Sequence, residues 1–182
     1  MSKSKGNVVD PLDIIEKYGA DTLRTYLLFM AAPEKDKEWS DEAIDGVYRF
    51  LRKIYSFKNR IKNKSGTKNR ILESKLNRVI KEVTSDLEDF RFNLAISKLM
   101  QLTNFIYNNR ENISLKIFED GLKKILIMLS CFAPHISEEL YEGRYVSIAK
   151  WPEVEENKID TKLEKEGELM YDIIIIGGGP SA

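Results

Sequence analysis

The residues with the clearest chemical potential stand at the start of the chain, between Met1 and Asn7. Lysine supplies a compact positive charge with three hydrogen-bond donors, serine adds a hydroxyl, and glycine lets the backbone approach a ligand closely. Such a mixture suits a loop that closes over phosphate groups, although a Ser/Lys-rich terminus is more often a solvated tail. The candidate phosphate contacts are Ser2, Lys3, Ser4 and Lys5.

A second concentration of charge lies between Gly46 and Arg70, where nine basic residues occur with no acidic one. The whole chain has a formal net charge of zero, so this positive charge is locally segregated. A basic helix face is usually only solvated surface, but this excess is larger than solubility requires. If the run binds nucleic-acid phosphates, its candidate contacts are Arg49, Arg52, Lys53, Lys58, Arg60 and Lys62.

Composition argues against several other kinds of site. His135 is the only histidine and Cys131 the only cysteine, so we predict no metal site and no intrachain disulfide. Cys131 lies in an apolar run, which predicts a reduced, structural thiol. No apolar run approaches the roughly 20 residues that span a bilayer, so we expect a cytoplasmic protein with no membrane contact.

Capping residues mark the helices that must position these charges. Asp10-Pro11 predicts a helix start, because the aspartate accepts a backbone N–H and the proline occupies the first helical position. Gly19 should end this short helix, and Asp21 should cap the next one. Pro33 should end that second helix, and Ser40 should cap a long amphipathic helix that carries the basic residues.

The rest of the chain shows the periodicity of a helical bundle. Apolar residues recur near helical spacing from Ile44 to Ile61, Leu72 to Leu87, Ala95 to Ile106 and Leu115 to Phe132. The last segment is apolar around much of its circumference, so it should lie at the centre until Pro134 kinks or ends it. The predicted fold class is therefore all-α, an antiparallel helical bundle.

The order of residues in Met1-Ser2-Lys3-Ser4 resembles the Lys-Met-Ser-Lys-Ser signature loop of class I aminoacyl-tRNA synthetases, without its first lysine. The resemblance extends to about Pro152 and is greatest to the leucyl branch of that class. Its later stretches resemble the anticodon-binding helical domain of that family. The matching stretches are Gly6 to Pro11, Ile15 to Arg24, Pro33 to Ser40, Phe92 to Ile96, Phe132 to Leu140 and Trp151-Pro152.

This resemblance implies ATP-dependent activation of leucine, followed by transfer of the aminoacyl group to leucine tRNA. Lys3 matches the second lysine of the signature, whose expected role is to stabilise negative charge as pyrophosphate departs. Ser2, Ser4 and Lys5 would support binding of the ATP phosphates, with Mg²⁺ accompanying the ATP. The resemblance also favours tRNA phosphates as the partner of the basic helix.

Several parts of the family's catalytic machinery have no counterpart in this sequence. They are the first lysine of the signature, the His-x-Gly-His motif, the Rossmann sheet with its amino-acid pocket and the inserted editing domain. A lone phosphate-binding lysine offers little preorganisation, so we expect no aminoacylation by this chain alone. A separate polypeptide carrying the missing catalytic half would change that. The alternative hypothesis is an autonomous tRNA-binding module without catalysis.

The end of the chain changes character at Met170. Residues 170–182 resemble the first strand and glycine turn of FAD-dependent oxidoreductases of the thioredoxin-reductase type, with the fingerprint Gly177-x-Gly179-x-x-Ala182. No helix, ribose-binding acid or Cys-x-x-Cys motif follows, so FAD binding is not expected. The resemblance still leaves a third hypothesis, in which this chain is the N-terminal part of such a flavoprotein.

The sequence divides into four predicted segments. Residues 1–40 form the signature loop and connecting helices, 41–152 the tRNA-binding bundle, 153–169 a charged linker, and 170–182 the truncated strand and turn. The linker is inferred from fading periodicity and an excess of acidic residues. We expect His135 to be a packed or capping residue, and Trp151 to anchor a loop on the bundle.

Overall fold

The computed structural model describes residues 9–30, 39–59 and 66–166, and within them every regular element is a helix. The predicted all-α fold is therefore confirmed. The α-helices are α1 (Pro11–Tyr18), α2 (Ala20–Met30), α3 (Asp41–Tyr55), α4 (Asn69–Glu88), α5 (Phe92–Asn109), α6 (Leu115–Leu129) and α7 (Pro134–Leu140). Short 3-10 helices occupy Ser56–Asn59, Val146–Ile148 and Glu156–Lys158, and residues 161–166 are again helical. None of the helices in these ranges has the length and apolarity needed to cross a membrane.

The junction between α1 and α2 forms as its capping residues predict. The Asp10 carboxylate accepts the backbone N–H of Leu12 at 2.8 Å, and Pro11 occupies the first helical position, where no N–H is needed. Gly19 ends α1 with φ 86°, a left-handed conformation open to glycine. Its N–H donates to the carbonyl of Ile15 at 2.8 Å. Pro33, the predicted end of α2, lies outside the described residues, as does the segment 170–182.

Asp21 does not cap α2, contrary to the prediction, because α2 already begins at Ala20. Its buried carboxylate instead reaches α7, where one oxygen accepts the backbone N–H of Ile136 at 2.7 Å and the other lies 2.7 Å from Nδ1 of His135. An acid of α2 thus satisfies a backbone donor in the first turn of α7, which has no partner within its own helix. His135 takes part in this junction, but its side chain is 75% exposed and therefore not packed.

Ser40 caps α3 as predicted, since its hydroxyl oxygen accepts the N–H of Ala43 at 3.2 Å. The helix is shorter than expected, because the chain tightens into the 3-10 helix Ser56–Asn59 instead of running on as one α-helix. The Ser56 hydroxyl donates to the carbonyl of Lys53 at 2.7 Å. Serine competes in this way with the regular helical hydrogen bonds, which explains the early end.

α4, α5 and α6 form the centre of the bundle around one apolar core. α4 and α5 make an antiparallel hairpin across residues 89–91. α6 lies at the centre as predicted, with residues 125–129 all buried. α5 contacts α2, α3, α4 and α6, so the centre is shared between these helices. The first turns of α6 have a buried and an exposed face. Phe118 and Leu126 are buried, and the exposed residues are Lys116, Glu119 and Lys123.

Cys131 lies at the turn after α6, where the residue is exposed. The prediction of a structural thiol rested on the apolar run around it, but the buried members of that run are neighbours such as Leu129, Phe132 and Ala133. Partial desolvation raises the pKa of the Cys131 thiol above its ordinary value. The reactive thiolate is therefore scarce at neutral pH, although solvent reaches the residue.

Residues 151–166 pack against α4, so the described part of the predicted charged linker is not a free connection. The Trp151 indole N–H donates to the Thr84 hydroxyl at 2.9 Å, which confirms that Trp151 anchors the chain on the bundle. Further along, the backbone N–H of Glu155 donates to the side-chain oxygen of Asn77 at 2.8 Å. Polar side chains on one face of α4 thus hold the returning chain.

Glu164 makes the most buried of these contacts, and the residue is only 4% exposed. One carboxylate oxygen accepts the Ser74 hydroxyl at 2.6 Å, and the other accepts two donors of Arg78 at 2.8 and 3.0 Å. Lys75 adds a second cation at 3.8 Å. Burial opposes the charge on Arg78, but hydrogen bonds and charges from Glu164 and Glu82 outweigh it and raise the pKa of Arg78. The acid tolerates burial because both of its oxygens have partners.

We expect Glu164→Ala to lower the free energy of unfolding by roughly 3 kcal/mol, because the variant leaves buried donors and cations without their acceptor. The matched control is Glu153→Ala, which removes an exposed acid paired with Lys150 and should leave the unfolding midpoint nearly unchanged. Urea denaturation followed by circular dichroism measures both variants. Equal losses in the two would show that the buried position of Glu164 adds nothing to stability.

Candidate nucleic-acid interface

α3 presents its positive charge to solvent because its other face is buried in two apolar clusters of the described residues. Its N-terminal half packs into a small cluster with α1 and α2, and its C-terminal half packs into the main core of the bundle. Helical periodicity then turns Arg49 and Arg52 outward. The buried residues of α3 are Ile44, Val47, Phe50, Leu51 and Ile54.

Arg49 and Arg52 are the two predicted phosphate contacts whose charge is least compensated. Both are exposed, and neither forms an ion pair with any residue that the structure describes. The guanidinium of Arg52 lies over the ring of Tyr48, 5.7 Å from its centroid. An arginine stacked in this way keeps the donors at its edge available for a phosphate.

Lys53 lies where α3 meets α5. Its ammonium donates to the side-chain oxygen of Asn104 and lies 4.9 Å from the centroid of the Tyr107 ring. The guanidinium of Arg110 lies over the same ring at 4.7 Å and donates to the carbonyl of Tyr107 at 2.6 Å. Cations interleaved with an aromatic ring are typical of surfaces that contact RNA. The sequence analysis missed Tyr107 and Arg110, because they belong to another helix and to no motif.

Lys58 follows α3 in the 3-10 helix and is partly compensated. Its ammonium lies 3.8 Å from the carboxylate of Glu139 on α7, and the two side chains are 52% and 63% exposed. An exposed ion pair of this kind is weak, so Lys58 is able to exchange its partner. The other predicted contacts, Ser2, Lys3, Ser4, Lys5, Arg60 and Lys62, lie outside the described residues.

Several cations elsewhere on the described bundle are closely paired with acids. Arg91 and Lys98 both reach the buried carboxylate of Asp86, at 3.0 and 2.5 Å. Arg78 is held in the same manner by Glu164. The bundle therefore neutralises these cations with its own acids and leaves Arg49 and Arg52 without one. Other exposed cations, such as Arg24, Arg70 and Arg144, also form no ion pair with a described residue. The α3 face is the candidate site because Arg49 and Arg52 stand together on one exposed helix face.

The first turn of α3 carries the opposite charge, with Asp41 and Glu42, whereas Arg52 and Lys53 stand in its last turn. Acids near a helix N-terminus and bases near its C-terminus are also what the helix dipole favours. Part of the charge order along α3 therefore has a structural origin. The feature that the helix dipole does not explain is the exposure of Arg49 and Arg52 without an acidic partner among the described residues.

Two protein families match this chain. Residues 69–178 match the family described as the anticodon-binding domain of tRNA ligase, which covers the helices from α4 to α7 and the returning segment. Residues 1–40 match the tRNA synthetases class I (I, L, M and V), which covers the signature-like segment, α1 and α2. The two matches stand in the same order as the motifs in the sequence.

Curated relatives with substantial identity are named leucine-tRNA ligase. The protein of Petrotoga mobilis is 41% identical over 96% of this chain and 24% of the relative. That of Thermosipho melanesiensis is 46% identical over 87% of this chain and 22% of the relative. Among solved structures, the LeuRS of Agrobacterium radiobacter, in a ternary complex with tRNA and LeuAMS, gives a TM-score of 0.78 at 30% identity. That match covers 88% of this chain and 23% of the solved one.

The chain spans about a quarter of the length of these relatives. The resemblance seen in the sequence motifs is confirmed by the family matches, and the helical bundle is confirmed as the fold of an anticodon-binding domain. Together these findings show that the chain belongs to the leucyl-tRNA synthetase family and corresponds to its region with the class I signature and anticodon-binding domain.

Proposed function

We propose that the exposed face of α3 binds the phosphate backbone of tRNA. The observation that carries this proposal is the pair Arg49 and Arg52, exposed and without an acidic partner among the described residues, on a helix held rigidly by its buried face. Lys53, beside Tyr107 and Arg110, extends the same surface towards α5. The proposed phosphate contacts are Arg49, Arg52 and Lys53 on α3 and, after it in the sequence, Lys58, Arg60 and Lys62.

The comparisons support tRNA as the ligand. The family that matches residues 69–178 is described as an anticodon-binding domain, and the solved LeuRS of similar fold contains tRNA. The names of the relatives favour leucine tRNA. Arginine and lysine contacts with phosphate position an RNA but carry no sequence information, so we assign no base recognition to these residues.

Replacing Arg49 and Arg52 together with alanine should weaken binding of leucine tRNA and flatten its dependence on salt. Each phosphate contact contributes about 0.7 to 0.9 to the steepness of log affinity against log salt concentration, so the steepness should fall by roughly 1.5. Fluorescence anisotropy of labelled tRNA over a series of salt concentrations measures both quantities, without ATP.

The matched control for that experiment is the double variant Lys81→Ala, Lys150→Ala. It removes the same formal charge, but from lysines that are paired with Glu156 and Glu153. We expect its affinity and salt slope to stay close to those of the parent chain. If the two double variants behave alike, the charges on α3 serve only the net charge or the helix dipole, and the proposed interface is wrong.

We also propose that the signature-like segment before α1 binds the phosphates of ATP, accompanied by Mg²⁺, during activation of leucine. Lys3 is the principal contact, and Ser2, Ser4 and Lys5 support it. The support is the match of residues 1–40 to the class I synthetases. Leucylation would additionally need adenine and leucine pockets, which we assign to the remaining length of the relatives, on a separate polypeptide or a continuous one.

Lys3→Ala should reduce leucine-dependent pyrophosphate exchange by about 100-fold when the catalytic half is supplied, because the variant removes one stabilising charge from the transition state. The control Lys17→Ala removes an exposed lysine of α1 and should leave the exchange rate unchanged. An undiminished rate in Lys3→Ala would exclude the lysine from the reaction.

A further inference from the structure

A crevice lies beside the charged face of α3, and the proposed phosphate contacts give it no role. The crevice has a volume of about 230 Å³ and opens between α1, α2, α3 and α7. Sites for whole small molecules usually measure about 300 to 1,000 Å³, so this space suits a single planar ring system. Its lining includes Tyr18, Tyr48, Leu51, Arg52, Tyr55 and Ile136.

The interior of the crevice offers carbon surface and few free polar groups. Polar side chains in its lining already have partners: the Thr22 hydroxyl donates to the carbonyl of Tyr18 at 2.8 Å, and the two oxygens of Asp21 are engaged by His135 and Ile136. The rings of Tyr18 and Tyr48 meet edge to face, with centroids 5.5 Å apart. A ligand would therefore be held by stacking and not by a pattern of hydrogen bonds.

The mouth of the crevice combines an aromatic ring with positive charge. Tyr48, Arg52 and Tyr55 stand four and three positions apart on α3, so they form one stripe along the helix. Tyr55 is 48% exposed, which is unusual for a large apolar residue of this helix. Arg52 stacks on Tyr48 and carries its charge at the edge of the opening. The opening thus favours a planar ligand attached to an anion.

We propose that this crevice holds one unstacked nucleobase of the RNA whose phosphates meet Arg49 and Arg52. The inference rests on the proposed tRNA-binding function and adds a second kind of contact to it. Every base has a π-face that stacks on tyrosine and on arginine, so the site accepts any base and not a particular sequence. The positive charge at the mouth distinguishes this occupant from an apolar peptide segment.

The test compares Tyr55→Leu and Tyr55→Phe with Arg49→Ala in the 182-residue chain. Tyr55→Leu keeps apolar bulk but removes the ring, and it should weaken binding of leucine tRNA by roughly tenfold. Because stacking involves no counterion, the salt slope should remain that of the parent chain. Tyr55→Phe keeps the ring and should retain the affinity. Circular dichroism melting checks that the half-exposed position tolerates each change.

The possible results separate the base site from the phosphate interface. Parent-like affinity in Tyr55→Leu, with weakened binding and a lower salt slope in Arg49→Ala, would overturn the base site and leave the phosphate interface standing. A loss in Tyr55→Phe as large as in Tyr55→Leu would also overturn it, since the hydroxyl and not the ring would then be responsible. Unchanged binding in all three variants would remove the tRNA interface together with the base site.

Discussion

Burial of one face of α3 is the constraint on which the arrangement of the whole surface depends. The helix enters two apolar clusters, one with α1 and α2 and one with the bundle, and Phe29 and Met100 pack against both. It therefore joins the connecting helices to the bundle as one packed body. With that face fixed, the remaining positions have no freedom: Arg49 must face solvent, Lys53 must lie beside α5, and Tyr55 must lie near α7.

The zero net charge of the chain conceals two different uses of positive charge. Arg78 and Lys98 neutralise buried acids and thereby hold elements together. Arg49 and Arg52 neutralise nothing among the described residues, so their charge remains available to a ligand. Unpaired cations grouped on one helix face attract an anion locally, without the non-specific binding that a high net charge would bring.

Features that depend on a few neighbouring residues were predictable from the sequence, and those that depend on distant ones were not. Asp10, Gly19 and Ser40 cap their helices as expected, because a cap involves only the adjacent turn. Asp21 has the same side chain as Asp10, yet its partner is a backbone N–H of α7, which no local pattern reveals. Glu164 is equally ordinary in sequence, and its burial follows only from the fold.

The same distinction applies to the candidate site. The cations of α3 were visible as a run without acids, and the ordered motifs identified the family. The contribution of Tyr107 and Arg110 and the crevice beside Tyr55 depend on how α3 meets α5 and α7, so they needed the structure. The central position of α6 was predictable from its apolar character, but the packing of α5 against four helices was not, because it depends on which helices surround which.

The return of the chain to α4 has a consequence for the order in which the protein forms. Its hydrogen bonds join Thr84 to Trp151, Asn77 to Glu155 and Ser74 to Glu164, across 67, 78 and 90 positions of the chain. Contacts of such separation cost more loop-closure entropy than contacts within a hairpin, so we expect them to form after the neighbouring helices have paired. During synthesis, α4 emerges long before its final partner. This face of α4 presents hydroxyl and amide groups, so water forms hydrogen bonds with those groups until residues 151–166 pack against the helix.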